Sequence, residues 1–198
     1  MPNLPRGRLV TLRPIAQHDL PQLHRWLNDP DVMQYWDGRD HPATFDRVEA
    51  RFRRSVEGLD RDAVRYMIET IEPGPDGAPL TIGMIQHGRV HLRAKCAQIE
   101  ILIGEGSHRD RGFGTDAVST FLGFLFEELR LHRVWLTLRA SNIGATKASE
   151  KVGFVREGTL REHDWLEGKF QDVAVYAMLA CEWEAAKSRA SAPPSERA

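Results

Sequence analysis

The sequence predicts a single domain of mixed α/β (α+β) class, and three observations carry that reading. Runs with apolar alternation and runs with helical apolar spacing follow one another irregularly, unlike the strict strand–helix alternation of a doubly wound parallel sheet. The 198 residues, 41% apolar and 28% charged, suit one ordinary globular domain. The densest turn chemistry, Glu72-Pro-Gly-Pro-Asp-Gly-Ala-Pro79, separates two strand-like runs. It therefore reads as a long hairpin loop and not as a linker between domains.

Leu9-Val-Thr-Leu-Arg13 alternates weakly and stops at Pro14, a first strand. Residues 17–27 put Leu20, Leu23, Trp26 and Leu27 on one helical face, with Asp19 near the start, and Asn28-Asp29-Pro30 ends that helix. Thr44 is an N-cap for a second helix through Val56, with Phe45, Val48, Phe52 and Val56 on one face. Residues 63–71 and 80–90 read as strands flanking the Pro/Gly loop, and residues 98–103 as a strongly apolar strand. Residues 112–131 read as one long helix, with Ala117, Phe121, Phe124, Leu125 and Leu129 turned inward. A strand at 134–138 precedes a short helix at 145–152 that stops at Gly153. Residues 155–160 and 173–179 are the last strands. The domain is thus expected over residues 1–187. Residues 188–198, rich in Ser, Ala, Pro and charge, read as a disordered tail.

Lys and Arg number 27 against 28 Asp and Glu, a net charge of −1. Nothing global draws such a chain to nucleic acid or to an anionic membrane. The longest apolar stretch, 118–126, is broken by Ser119, Thr120 and Gly123 and is about half of the roughly 20 residues a membrane span needs. Met1-Pro-Asn-Leu-Pro-Arg-Gly-Arg8 lacks the apolar core of a signal peptide. Cys96 and Cys181 stand far apart, so neither a disulfide framework nor a zinc site is expected, and a reducing cytoplasm is the expected location. No His/Cys/Asp cluster has metal-ligand spacing, so no metal is expected.

The sharpest local feature is Arg109-Asp-Arg-Gly112-Phe-Gly114-Thr115, between an apolar strand and the long helix. The first helical N–H groups have no intrahelical partner, and the helix dipole adds positive potential. Gly112 and Gly114 admit phosphate oxygens close to the backbone, and Arg109 and Arg111 add charge-assisted donors. The competing reading is a tight strand-to-helix turn with solvated arginines. A Walker A loop would need Lys-Ser/Thr after the last Gly, where Thr115-Asp116 stands. A Rossmann fingerprint would need G-x-G-x-x-G opening a βαβ unit.

Arg109-x-x-Gly112-x-Gly114 resembles the Q/R-x-x-G-x-G/A pyrophosphate loop of the GNAT superfamily of acyl-CoA-dependent N-acetyltransferases. Ala97-Gln-Ile-Glu-Ile-Leu-Ile-Gly104 is similar to that family's fourth strand, and Leu131-His-Arg-Val-Trp-Leu-Thr-Leu138 to its fifth. Asn142-Ile-Gly-Ala-Thr-Lys-Ala-Ser-Glu-Lys-Val-Gly-Phe154 resembles its N-x-x-A…K-x-GF segment. Glu157-Gly-Thr-Leu-Arg161, Gly168-Lys-Phe-Gln-Asp172, Tyr176-Ala-Met-Leu179 and the opening Leu9 to Pro30 region resemble the RimJ/RimL-type branch. The likeness covers nearly the whole chain except its tail. It implies the GNAT fold: a central, mostly antiparallel sheet splayed between strands 4 and 5, with flanking helices.

The resemblance also implies roles. Acetyl-CoA is the co-substrate. Its pantetheine arm pairs with the backbone of Ile101, Leu102 and Ile103, its pyrophosphate takes N–H groups from Arg111, Gly112, Phe113, Gly114 and Thr115, and Asn142 bonds the arm. Lys147 reaches a CoA phosphate or is simply solvated. A neutral amine attacks the thioester, so a proton acceptor is needed. Glu100, an acid in an otherwise apolar strand, is the candidate base, against a reading in which it faces solvent or pairs with an arginine such as Arg93. Relatives often carry their Glu at the place of Gln98. They also carry a Tyr, as general acid, where this chain has Ser149, a much weaker acid. A thiolate with a thiol pKa near 8.5 leaves without much help. Tyr35, Trp36 and Asp37, with His163 and Asp164 of the last hairpin, are the expected acceptor wall. The resemblance further implies a homodimer. The expected function is transfer of an acetyl group to a primary amine of a small molecule or a protein N-terminus. The competing class is an acyl-CoA-binding regulatory or interaction module with little turnover. RimJ/RimL relatives modify ribosomal proteins, but the balanced charge predicts no strong binding to RNA itself.

Overall fold

The computed structural model describes residues 4–34, 36, 42–60, 63–88, 90–91, 93–166 and 168–191. The described residues form a mixed α+β fold with seven strands, hydrogen-bonded in the order β1-β2-β3-β4-β5-β7-β6. The chain divides into two compact units, Met1–Val90 with Ile99–Phe121, and His91–Gln98 with Leu122–Ala198. Strand β4 contributes to both.

The first unit holds β1 (Val10–Pro14), α1 (Leu20–Trp26), α2 (Pro30–Met33), α3 (Phe45–Val56), β2 (Arg65–Pro73), β3 (Pro79–His87), most of β4 (Cys96–Ile103) and the start of α4 (Phe113–Gly123). Its strands β1 to β4 are antiparallel throughout. As expected, α1 stops before Asn28-Asp29-Pro30. Pro30 then opens α2, where its missing N–H costs nothing, and Asp29 caps the turn by accepting from Asp31 N at 2.9 Å. Thr44 caps α3, its hydroxyl accepting from Arg47 N at 3.3 Å.

The register sorts the side chains of this unit into cross-strand rows. Met67, Met84 and Leu102 face one another across β2, β3 and β4, and all three belong to the core cluster with Leu20, Leu23, Trp26, Val48 and Phe52 of α1 and α3. One step along the same face lies a polar row, Arg65, Gln86 and Glu100. The opposite face carries Tyr66, Ile85 and Ile101. There the Tyr66 and His87 rings pack on Phe121 of α4, at centroid distances of 5.9 and 6.1 Å.

Two polar nodes fasten this unit. Arg13 donates to both oxygens of Asp19 at 2.7 Å and to Glu69 at 2.6 Å, tying β1 to the turn before α1 and to β2. Asp116 of α4 accepts from the backbone N–H groups of Arg8, Leu9 and Val10 at 2.8 to 3.1 Å. That carboxylate bolts the lead-in of β1 to the first turn of α4.

The second unit holds β5 (Arg133–Arg139), α5 (Ile143–Val152), β6 (Val155–Leu166), β7 (Lys169–Leu179) and α6 (Ala180–Ser191). Residues 96–98 of β4 run parallel to residues 133–135 of β5, and β7 pairs antiparallel with both β5 and β6. The β4–β5 ladder covers three residues only, the short pairing expected of a sheet that splays between its fourth and fifth strands.

Several elements depart from the sequence expectation. The long helix ends at Gly123 and continues as a π-type turn, Phe124–Glu128. The last two strands are 12 and 11 residues long, because the hairpin runs on through exposed residues that carry no apolar signal. Helix α6 was not expected. Trp183 anchors it, stacked on Phe126 at 6.0 Å with its indole N–H donating to Glu127 at 3.1 Å, and Lys187 donates to the same carboxylate at 2.7 Å. Residues 188–191, expected in the tail, continue this helix, and residues 192–198 lie outside the described residues.

Candidate functional site

The strand-to-helix loop of the first unit is built around backbone donors. Asp110 and Gly112 have φ of 55° and 87°, so the chain turns twice through left-handed conformations before α4 begins. Such a path points successive N–H groups to one side. The N–H groups of Arg111, Gly112, Phe113, Gly114 and Thr115 donate to no acceptor among the described residues, and the first helical bond is Asp116 N to Gly112 O at 2.9 Å. Five unengaged donors and the positive end of α4 thus lie in the loop where the sequence expects a pyrophosphate.

The two loop arginines also have partners within this unit. Arg109 donates through Nε to Ile103 O and through Nη1 to Asp31 O, both at 3.1 Å. Its side chain therefore braces the loop against the end of β4 and against α2. Arg111 donates to Ser107 O at 3.2 Å and lies 5.6 Å from the Phe113 ring centroid.

A further anchor escaped sequence reasoning. Glu105, just past β4, accepts at one oxygen from Trp26 Nε1 at 3.0 Å, from Gln22 Nε2 at 3.2 Å and from Arg25. Burial alone would raise this carboxyl, but the bonds from Trp26, Gln22 and Arg25 together hold it below its ordinary range. Next to it, a Cβ at Gly104 would overlap the Trp26 indole. The loop is thereby set rigidly on α1. An isolated Glu-Gly pair after a strand gave no signal of this.

The candidate base lies in the polar row. Glu100 is half-buried and accepts from Gln86 Nε2 at 2.6 Å. The Gln86 oxygen in turn accepts from Arg65 Nε at 2.9 Å, and Arg65 donates to Asp60 and Ser55, each at 2.6 Å. Arg93, the arginine offered in the alternative reading of Glu100, does not appear in this network among the described residues. The row follows from the register, which aligns Gln86 with Glu100, whereas Arg93 lies in the turn before β4. Ile101 and Ile103 are half-buried and Leu102 is buried in the core cluster.

Of the expected acceptor wall, Trp36 is buried in the first unit's core, in the cluster that holds Trp26, Met33 and Phe52. Trp36 thus packs as a core ring rather than standing free in solvent. Tyr35 and Asp37 lie outside the described residues.

In the second unit Asn142 is the N-cap of α5, its side-chain oxygen accepting from Ala145 N at 3.1 Å. Its amide N–H groups donate to no described residue. Lys147 is exposed on α5 and Ser149 is buried. Beside them Tyr176 of β7, itself buried, donates to Glu150 at 3.1 Å, and burial followed by that carboxylate holds the phenol above its ordinary value. His163 is exposed. Asp164 is ion-paired with Arg139 of β5 and accepts from Trp165 N at 2.8 Å, so its charge is balanced by the neighbouring strand.

Three comparisons bear on this arrangement. The spermidine N(1)-acetyltransferase of Vibrio cholerae serotype O1 is 27% identical over 164 residues, 83% of this chain and 89% of that protein. The aminoglycoside N(6')-acetyltransferase type 1 of Klebsiella pneumoniae is 27% identical over 159 residues, 78% of each chain. A crystal structure of spermidine N-acetyltransferase from Vibrio cholerae in complex with CoA and spermine superposes with a TM-score of 0.78 at 26% identity, covering 88% of this chain and 98% of that one. Residues 9–155 match the family model described as the acetyltransferase (GNAT) domain. With most of its length inside that match, the chain belongs to the GNAT family of acetyltransferases.

Proposed function

We propose that this enzyme moves the acetyl group of acetyl-CoA to a primary amine, of a small molecule or a protein N-terminus, by direct attack on the thioester. The observation that carries the cofactor half is the run of five unengaged N–H groups at the start of α4. They suit a pyrophosphate, and the solved relative in complex with CoA supports that choice of ligand. The backbone of Ile101, Leu102 and Ile103 would pair with the pantetheine arm, the Asn142 amide would donate to it, and Lys147 would reach a phosphate.

In the reaction the amine nitrogen bonds to the thioester carbon, and the oxyanion takes a backbone N–H from β4. The C–S bond then breaks and CoA leaves as thiolate. Glu100, directly or through water, accepts the proton the amine must lose. Its carboxylate oxygen not bonded to Gln86 is the one available for this. Ser149 contributes little. A small-molecule acceptor is supported by the two named relatives, which are polyamine and aminoglycoside acetyltransferases. The RimJ/RimL-like segments are the support for a protein N-terminus. The two cysteines are free thiols, which supports a cytoplasmic location.

An acyl-CoA-binding module without turnover is favoured by one feature, Ser149 standing where a phenol would be expected. Calorimetric titration with acetyl-CoA, together with thiol release over a panel of amines, separates the readings. Binding with release supports the enzyme, binding without release on any amine supports the module, and absence of binding overturns both.

A further inference from the structure

The polar row of the first unit runs in a fixed order: Asp60, Arg65, Gln86, then Glu100. Arg65 donates through Nη1 to Asp60 Oδ2 and to Ser55 Oγ, each at 2.6 Å, and through Nε to Gln86 Oε1 at 2.9 Å. Its guanidinium also lies 5.7 Å from the centroid of the buried Phe52 ring. The Arg65–Asp60 pair is complete without Glu100, and Arg54 meets the same aspartate at 3.2 Å. Gln86 is buried in β3 and uses both ends of its amide, the oxygen toward Arg65 and an N–H toward Glu100 Oε2 at 2.6 Å. Arginine has donors only, so it fixes which end of that amide is the oxygen, and thereby fixes a donor facing Glu100. Glu100 Oε1 accepts from no described residue, and its carboxylate forms no ion pair with any described residue.

Neither link in this row passes a proton. An arginine stays protonated and the glutamine amide is neutral, so the row is a brace and not a proton wire. A neutral amide set between guanidinium and carboxylate does what a direct ion pair would not. It orients the carboxylate through a hydrogen bond and leaves it without a counter-ion of its own. A guanidinium bonded directly to Glu100 would favour the charged form more strongly and oppose its protonation. The row also divides the two oxygens: Oε2 is held by Gln86, and Oε1 is the one open to receive a proton.

Resting on the acetyltransferase reading above and on Glu100 as its base, we propose that Gln86 and Arg65 are positioning residues of the reaction. Gln86 holds the carboxylate so that Oε1 is presented to the amine. Arg65, anchored by Asp60 and Ser55, acts through Gln86 by fixing its amide. As the amine nitrogen bonds to the thioester carbon, its N–H bond breaks and the proton passes to Glu100 Oε1. No hydrogen bond of the row has to break for that transfer.

The test is thiol release by the full chain at saturating acetyl-CoA, with whichever of spermidine, kanamycin and glycylglycine the wild type acetylates fastest. Gln86→Leu removes the amide. Gln86→Glu keeps the shape and the acceptor toward Arg65 but loses the donor toward Glu100. Each should lower kcat at neutral pH by about tenfold with KM for the amine little changed. The deficit should shrink at high pH, where the amine is already neutral. Arg65→Lys, which loses the planar fork, should show the same pattern more weakly. In the Glu100→Gln background neither Gln86 substitution should cost more than about twofold, because residues that act as a unit are not additive. Acetyl-CoA titration of each variant reports that the fold and cofactor site persist. Should a Gln86 variant lose that binding, Arg65→Lys, alone and with Glu100→Gln, carries the same comparison. An unchanged kcat, or a loss equally large in the Glu100→Gln background, overturns this inference alone. Full activity of Glu100→Gln at neutral pH overturns Glu100 as the base, and this inference with it. No release with any acceptor overturns the acetyltransferase reading as well.

Discussion

Glu100 was conspicuous in the sequence because an acid is costly in an apolar strand unless it is paired or functional. The register supplies the pairing: Gln86 donates to one oxygen, and the Gln86 amide cannot flip because Arg65 holds its carbonyl end. A carboxylate oriented in this way is well placed to accept a proton, and a positioned base typically contributes 10²–10⁴-fold in rate. Glu100→Gln should thus lower kcat by about two orders of magnitude at neutral pH with acetyl-CoA affinity nearly unchanged, since the proposed cofactor contacts are mostly backbone donors and do not include the Glu100 side chain. Ser149→Ala should cost less than about tenfold, because a thiolate leaves readily. Both are read as thiol release with one amine across a pH series, since an amine already neutral at high pH needs no base. Full activity of Glu100→Gln at neutral pH would move the base elsewhere, and a crippling Ser149→Ala would reverse the two roles. Other polar residues were harder to read from sequence. Arg109, Asn142 and Asp164 have the right types for ligand contacts, but each is already engaged within its own unit, by Ile103 O and Asp31 O, by Ala145 N, and by Arg139 respectively. Spacing reports residue type and place, whereas the choice between a ligand and an internal partner is made by tertiary packing.

At the scale of elements, what was legible is what local chemistry dictates. The Thr44 cap, the stop of α1 before Asn28-Asp29-Pro30, the Pro/Gly hairpin and the glycine-containing turn before α4 all depend on residues within a few positions of one another. Helix α6 and the outer half of the β6–β7 hairpin depend on distant partners, Phe126 and Glu127 for the one and a cross-strand neighbour for the other, so their segments show no periodicity of their own. The phosphate loop permits a sharp test. Gly112 sits at φ 87°, a conformation that a β-branched side chain rarely adopts, so a valine there strains the turn whose N–H groups face the proposed pyrophosphate. Gly112→Val should weaken acetyl-CoA binding at least tenfold, about 1.4 kcal/mol, in a calorimetric titration. Unchanged affinity with the fold intact would mean that the cofactor's phosphates are held elsewhere.

At the scale of the whole molecule, the hairpin raises the question of a second copy. Strand β6 ends the strand order, pairing with β7 on one side only. Along this hairpin Val155, Leu160, Trp165 and Phe170 are 52%, 40%, 58% and 61% exposed. Trp165 and Phe170 pack on each other with ring centroids 4.7 Å apart, which orders the tip without covering it. Long edge strands with apolar side chains are normally blunted by charge, bulges or a covering element, since their free N–H and C=O groups invite pairing. The register break between Leu160 and Asp164 is the only bulge near the tip of this hairpin among the described residues, and it leaves the aromatic pair exposed. Scattered exposed apolar residues need no explanation, but several on one edge mark a contact surface. We therefore expect a homodimer that covers this hairpin. Light scattering at micromolar concentration should give about twice the 22.5 kDa chain mass, and a charge introduced at the edge, Leu160→Asp, should shift the population toward the monomer while acetyl-CoA still binds. A wild-type species of 22.5 kDa at that concentration would overturn the dimer. A stable dimer unmoved by Leu160→Asp, or by Trp165→Asp at the tip, would place its interface on a different surface.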